Sequence, residues 1–364
     1  MTSDAKLSWE EYRDRELAIL NPLLNELGFS LDEKQPHIGG ERYLMRAVTT
    51  ASGMKLLLLG KETSTGRRVV IKTSSEEGGQ GEIAHERVCK DMLTRAQLTS
   101  TSLLFPEELL FTERQSYTIA VQLFIETQGQ FIDRPVDEQF RIALRALEAQ
   151  EAVQVTTFER LGLDVDVFGR RTASDYEKQA AAFAGDVVAA FPEKRELVER
   201  ALQFVQEGVS TIEAYGDTLT HTDFVPHNLR VVGEDVYLLD LSSLRFGNKY
   251  EGWARFLNFM ELYNPELVGM FSKHVQENRP EEVEALALMR VYRLLEILWY
   301  YRNTLDRSEG DLLTLNRARI DWWAHVLERT LEGEGSVPET RLAYITLRDS
   351  LRSPEEKVRQ QGLH

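Results

Sequence analysis

Near Glu126 the periodicity of this chain changes, and that change limits the fold more than any other feature. Before it, short runs of alternating and β-branched residues prevail; after it, apolar residues recur at helical spacing. Tyr43 to Val48, Met54 to Gly60 and Arg67 to Thr73 read as strands, with the turn Ser64-Thr65-Gly66 between the last two. Leu109 to Thr112 and Tyr117 to Ile125 extend the set. Two helices interrupt it, an amphipathic one from Trp9 to Leu27 and another from Glu82 to Leu98. The second follows a glycine-rich segment, Glu76 to Gly81, that reads as a flexible loop. Beyond Glu126, Asp137 to Val153, Ser174 to Ala190, Pro192 to Tyr215 and Pro280 to Asp306 read as helices. One small hairpin, Leu229 to Val232 and Val236 to Leu239, turns at Gly233. Strands with few helices, then helices with one hairpin, predict an α+β chain in two unequal lobes, 1–125 and 126–364, joined by a short hinge.

With 364 residues, 42% of them hydrophobic, the chain can bury the core such a division needs. Its net charge of −16 argues against non-specific binding to nucleic acid or to an anionic membrane, and is compatible with a cationic small-molecule partner. Cys89 is the only cysteine, so an intramolecular disulfide and a multi-cysteine metal site are both excluded; a buried, inert thiol is expected. The first twenty residues are studded with charge and hold no apolar signal-peptide core. No apolar run approaches the roughly 20 residues that span a bilayer. A cytoplasmic protein is expected; the oligomeric state is left open.

The chemistry concentrates in His221-Thr222-Asp223-Phe224-Val225-Pro226-His227-Asn228. A hydroxyl that attacks phosphorus needs a carboxylate to orient it and take its proton. A nucleotide triphosphate needs Mg²⁺, a hard cation that prefers oxygen ligands. The pattern H-x-D-x-x-x-x-N followed by an Asp at the end of a strand meets both needs, and here Asp240 closes Val236-Tyr237-Leu238-Leu239. The intervening hairpin brings Asn228 and Asp240 together. The chain has no G-x-x-x-x-G-K-[ST], which argues against a P-loop enzyme.

From His221 to Ser243 the sequence resembles the catalytic region of the aminoglycoside phosphotransferase and choline kinase superfamily, with its H-G-D-x-x-P-x-N-I/L, hairpin and I-D. His221, Asp223, Pro226, Asn228 and Leu229 match, as does Leu239-Asp240; Thr222 replaces the usual glycine. The resemblance implies a two-lobed protein-kinase-like fold, with a small antiparallel N-terminal sheet and a larger, mainly helical C-terminal lobe. It implies Asp223 as catalytic base, Asn228 and Asp240 as Mg²⁺ ligands and His221 as a brace for the loop, with ATP or GTP as phosphoryl donor. Lys72, at the end of Val69-Val70-Ile71, would hold the α- and β-phosphates, steadied by Glu86 or, in reserve, Glu82. Ser52 and Gly53, between the first two strands, would approach the phosphates, and Phe124 and Ile125 at the hinge the adenine. Past Asp240 the resemblance weakens. Gly247 to Ala254 has Asn248 and Gly252 where the family's G-D-P-x-x-D-L-A has aspartates, which suggests a divergent branch with a rearranged loop.

The best-supported expectation is therefore a kinase acting on a hydroxyl of a small metabolite or antibiotic. A kinase-like scaffold that binds nucleotide or protein without turnover is the alternative. A protein kinase fits less well, because D-F-G and A-P-E are absent. Asp164, Asp166, Glu251 and Glu261 are the carboxylates of the helical half that a cationic acceptor would meet.

Overall fold

The computed structural model describes residues 9–33, 35, 55–96, 104–127 and 129–352. These fall into two compact units. The first takes in the chain to Ala84 and Pro106–Glu126, and the second His85–Phe105 and Thr127–Ser353.

In the first unit, α1 (Trp9–Glu26) and β1 (Phe29–Leu31) precede β2 (Leu56–Glu62) and β3 (Arg68–Ser74). Then α2 (Glu77–Arg95), which continues into the second unit, is followed by β4 (Glu108–Arg114) and β5 (Tyr117–Leu123). Among the described residues the strands form one antiparallel sheet in the order β1-β2-β3-β5-β4. Central β3 has Val69 and Ile71 fully buried, each worth about 1.5–3 kcal/mol of apolar burial. Tyr12, Leu20 and Leu24 of α1 share that core with Leu56, Leu58, Ile119 and Val121. A polar contact fixes the helix as well: buried Glu16 accepts from the Tyr117 hydroxyl at 2.7 Å and from Ser75 Oγ at 3.2 Å. The N-terminal helix is thus part of the sheet's core.

The second unit contains α3 (Val136–Glu151), α4 (Val155–Arg160), α5 (Ala173–Ala190), α6 (Arg195–Glu207) and α7 (Val209–Ala214). Four short strands follow: β6 (Thr218–His221), β7 (Leu229–Val232), β8 (Asp235–Leu238) and β9 (Leu244–Gly247). The chain ends in α8 (Tyr250–Tyr263), α9 (Pro265–Asn278), α10 (Val283–Leu305), α11 (Gly310–Leu331) and α12 (Pro338–Leu351). Helix α10 runs through the core, burying Leu288, Met289, Val291, Tyr292, Leu294 and Leu295 and packing on α5, α8 and α11. β6 pairs antiparallel with β9, and β7 with β8.

The α+β class and the division between an antiparallel sheet and a mainly helical part hold. Several local expectations do not. Glu77 to Gly81 is the first turn of α2, not a loop. Ser74 Oγ accepts from the Glu76 N–H at 3.0 Å, and Gln80 Nε2 donates to the Ser116 carbonyl at 2.6 Å. These contacts offset the roughly 1 kcal/mol that each helical glycine costs. The helix expected over Pro192 to Tyr215 breaks at Gly208, where a Cβ would lie 2.4 Å from Leu288 Cδ1. Strands β1, β6 and β9 and helix α4 had no sequence signal. The strand expected at Tyr43 to Val48 lies outside the described residues.

Candidate active site

The loop after β6 is held at every turn. His221 is fully buried. Its Nε2–H donates to the Leu239 carbonyl at 3.0 Å, which fixes the tautomer, and Nδ1 has no hydrogen-bond partner. Its backbone N–H donates to Gln150 Oε1 of α3 at 2.8 Å. Thr222 donates twice to the Ser243 carbonyl, from its N–H at 2.9 Å and its Oγ1 at 3.0 Å. Its φ is not positive, so the side chain brings no strain where the resembling family has glycine, and its hydroxyl adds a bond glycine cannot make.

Asn228 closes the loop. Its Nδ2 donates to the Asp223 carbonyl at 2.8 Å and to Asp223 Oδ2 at 3.2 Å, so the amide oxygen is left as an acceptor. Its own backbone carbonyl accepts from the Leu239 N–H at 2.9 Å. Leu239 therefore bonds to both ends of the loop, and the next residue is Asp240. Asp240 adopts φ 58° and ψ 54°, a left-handed conformation that costs a non-glycine residue roughly 1–2 kcal/mol. Ser242 Oγ donates to its Oδ1 at 3.1 Å. Asp223, Asn228 and Asp240 are thus assembled on one braced frame, as their spacing suggested.

Asp223 has a further partner that the sequence did not reveal. Arg255 of α8 donates from Nε to Asp223 Oδ1 at 2.9 Å, with Nη2 at the same distance. The carboxylate keeps 36% of its side-chain surface exposed. Burial pushes its pKa up, and Asp240 adds to that. The Arg255 charge and hydrogen bond, with the field of His221, outweigh both and hold it below the usual carboxylate range.

Helix α8 can carry Arg255 there because it starts hard against β6. The Gly252 N–H donates to Thr220 Oγ1 at 3.0 Å, and a Cβ on Gly252 would sit 3.0 Å from that oxygen and 3.2 Å from the His221 carbonyl. The glycine at this departure from the family pattern is a clearance. Asn248, at the other departure, is fully buried; its Oδ1 accepts from the Tyr250 N–H at 2.9 Å and its Nδ2 donates to the Ile212 carbonyl at 2.9 Å.

Two of the four carboxylates considered for a cationic acceptor are engaged otherwise. Glu251 is fully buried; it accepts from the Tyr176 hydroxyl at 2.6 Å, from Arg171 at 3.3 Å and from Arg293 at 3.4 Å. Glu261 is buried against Arg290 at 2.7 Å. Asp164 accepts from the Asp166 N–H at 2.9 Å, and both are exposed.

In the first unit Lys72 is buried on β3, in register with Leu57 and Ala120. Glu86, on the part of α2 that belongs to the second unit, is also buried. Glu82 is ion-paired with Lys55. The Phe124 N–H donates to the Arg68 carbonyl at 3.0 Å and the Arg68 guanidinium lies 4.1 Å from the Phe124 ring centroid; Ile125 is the next backbone donor along. Ser52 and Gly53 lie outside the described residues. Cys89 is buried, and burial pushes its thiol up to about 12. Among the described residues no helix is long and apolar enough to cross a membrane.

The fold is that of the aminoglycoside phosphotransferases. Aminoglycoside phosphotransferase APH(4)-Ia matches with a TM-score of 0.57 at 16% identity, over 88% of this chain and 98% of that one. A thermostable mutant of the same enzyme, in ternary complex with ADP and hygromycin B, matches at 0.53 with 17% identity over 82% and 99%. The GDP complex of wild-type aminoglycoside 2'-phosphotransferase-IIIa matches at 0.54 with 14% identity over 86% and 97%. No family model matches the sequence, and no curated protein does.

Proposed function

We propose that the protein is a small-molecule kinase that transfers the γ-phosphoryl group of ATP or GTP to an alcohol hydroxyl. The observation that carries this reading is the braced frame joining Asp223, Asn228 and Asp240 through Leu239. The fold it shares with solved kinases, among them complexes with ADP and with GDP, supports it.

In the reaction the acceptor oxygen forms a bond to the γ-phosphorus as the bond to the β-phosphate oxygen breaks. Asp223 orients the hydroxyl and takes its proton, and the nucleoside diphosphate leaves. The depressed pKa makes Asp223 a weak base at rest, which suits a loose transition state in which the proton moves late and positioning does most of the work. Two hard oxygen donors, the Asp240 carboxylate and the Asn228 amide oxygen, fit Mg²⁺, which takes few protein ligands. When bound, the cation would neutralise charge on the nucleotide's phosphates. Lys72 is the candidate in the first unit for a further phosphate contact, in which case residues 1–125 would be the nucleotide-binding half.

Thermal unfolding with Mg-ATP, Mg-GTP and chelator tests the reading. A nucleotide at about a hundred times its Kd adds roughly 2.7 kcal/mol. The Asp240→Asn variant should lose that shift. Asp223→Asn should keep it while losing transfer. Failure of both nucleotides to shift the wild type would refute the reading.

A further inference from the structure

The side chain that holds the Asp223 carboxylate is positively charged. Arg255 spends one edge of its guanidinium on Asp223 Oδ1. Its Nη1 has no acceptor among the described residues, and the side chain is 22% exposed. Arg293 of α10 also acts electrostatically on Asp223. It is bonded to Glu251 at 3.4 Å and to Glu296 at 2.5 Å. Of the four carboxylates considered for a cationic acceptor, Glu251 and Glu261 are buried in pairs with arginine, whereas Asp164 and Asp166 are exposed. An ammonium group brought beside the reacting hydroxyl would face Arg255 at close range, and the Glu251 and Glu261 carboxylates, already paired with arginine, would not offset the repulsion.

We propose that Arg255 reads the acceptor, binding through its free edge an anionic oxygen next to the reacting hydroxyl, so that the substrates are alcohols bearing a carboxylate or a phosphate ester and not amino alcohols. This rests on the kinase reading. The guanidinium is suited to both tasks. It is planar and always charged, and it presents N–H donors on two edges in a fixed fork, so one edge can hold the base while the other takes an oxygen anion. Because the same rigid group touches both partners, it places the acceptor hydroxyl relative to the carboxylate that must receive its proton. The bonds made and broken are those of the transfer itself. Arg255 gives up no proton; it lends charge and direction.

The test uses the full chain and two matched acceptor series. One is glycerol, glycerate, glycerol 3-phosphate and 3-amino-1,2-propanediol; the other is glucose, gluconate, glucose 6-phosphate and glucosamine. Transfer from labelled Mg-ATP and binding in the presence of Mg-AMP-PNP are measured for wild type, Arg255→Gln and Arg255→Lys. The expected result is a preference for an anionic member in at least one series. Arg255→Gln should raise its KM at least tenfold while the Mg-ATP thermal shift persists, and Arg255→Lys should recover part of the loss. The carboxylate and phosphate arms tell the two anion classes apart. Preference for an amine, an anion preference that survives in Arg255→Gln, or recognition of no anionic member by a wild type that does bind Mg-ATP would each overturn the assignment to Arg255 alone. A wild type that shows no Mg-ATP shift would overturn the kinase reading and this inference with it.

Discussion

Removing the imidazole of His221 tests the frame on which the proposed site stands. In His221→Ala the Leu239 carbonyl loses its donor, and an acceptor left unpaired in the interior costs about 1–3 kcal/mol. The ring is fully buried, so its removal also leaves a void; large-to-alanine changes in cores cost roughly 2–5 kcal/mol. Because the two effects share one site they do not simply add, and a loss of about 3–5 kcal/mol is expected. In a domain of this size that lowers Tm by roughly 10 °C. The backbone N–H of residue 221 still reaches Gln150, so the strand should stay paired and the loss should be felt beyond it, at Asp240. Accordingly the Mg-ATP stabilisation should shrink along with Tm. His221→Gln, which keeps an N–H donor on a shorter reach, should recover part of both. The assay is thermal unfolding of the three proteins with and without Mg-ATP. A His221→Ala protein melting within about 1 °C of wild type, with its Mg-ATP shift intact, would refute the claim that this hydrogen bond supports the site.

Other outcomes follow from the same geometry. Gly252→Asp, which restores the residue of the family pattern, should destabilise by about 3–5 kcal/mol, because it puts a charge at a buried position whose Cβ already crowds Thr220 and the His221 carbonyl; a melt matching wild type would contradict it. The folded-state pKa of Asp223 is depressed, so its contribution to stability is full above the unfolded value of about 3.9 and is lost as pH falls through the lower folded value. Arg255→Gln removes the main opposing charge, so the acid limb of phosphoryl transfer should move to higher pH; an unmoved limb would mean that Arg255 does not set this pKa.

How much of this was legible in the sequence depended on how local each signal was. Asp223, Asn228 and Asp240 could be found because one loop and one hairpin join them. Arg255 could not, since it reaches Asp223 from 32 positions away along the chain and a lone arginine on an amphipathic helix carries no mark. Gln150, which holds the His221 N–H, lies farther still. Strands β6 and β9 have four residues each, too few for alternation to register, and only their pairing makes them visible. The glycines of 76–81 were misread because propensity speaks for the isolated segment, whereas contacts from Ser74 and Gln80 decide the helix. Glu251 and Glu261 were expected to be open to a cationic acceptor; arginines distant in the sequence, Arg171 and Arg293 for the first and Arg290 for the second, pair with them in the interior.

The two bonds of Leu239 place a limit on change in this region that differs from the usual limit on side chains. Both bonds use its peptide groups, so the Leu239 side chain can vary without loosening the frame. The length of the chain between Asn228 and Asp240 cannot. The hairpin pairs Leu229 with Leu238 and Val232 with Asp235, and that register is what delivers the Leu239 amide to the Asn228 carbonyl. One residue added or removed within a paired strand would turn the side chains beyond it to the opposite face and carry Asp240 away from Asn228. The hairpin acts as a ruler: its strands are fixed in count, so an insertion within β7 or β8 should be far more damaging than most substitutions there, and at the tip Gly233 is held by its positive φ of 57°.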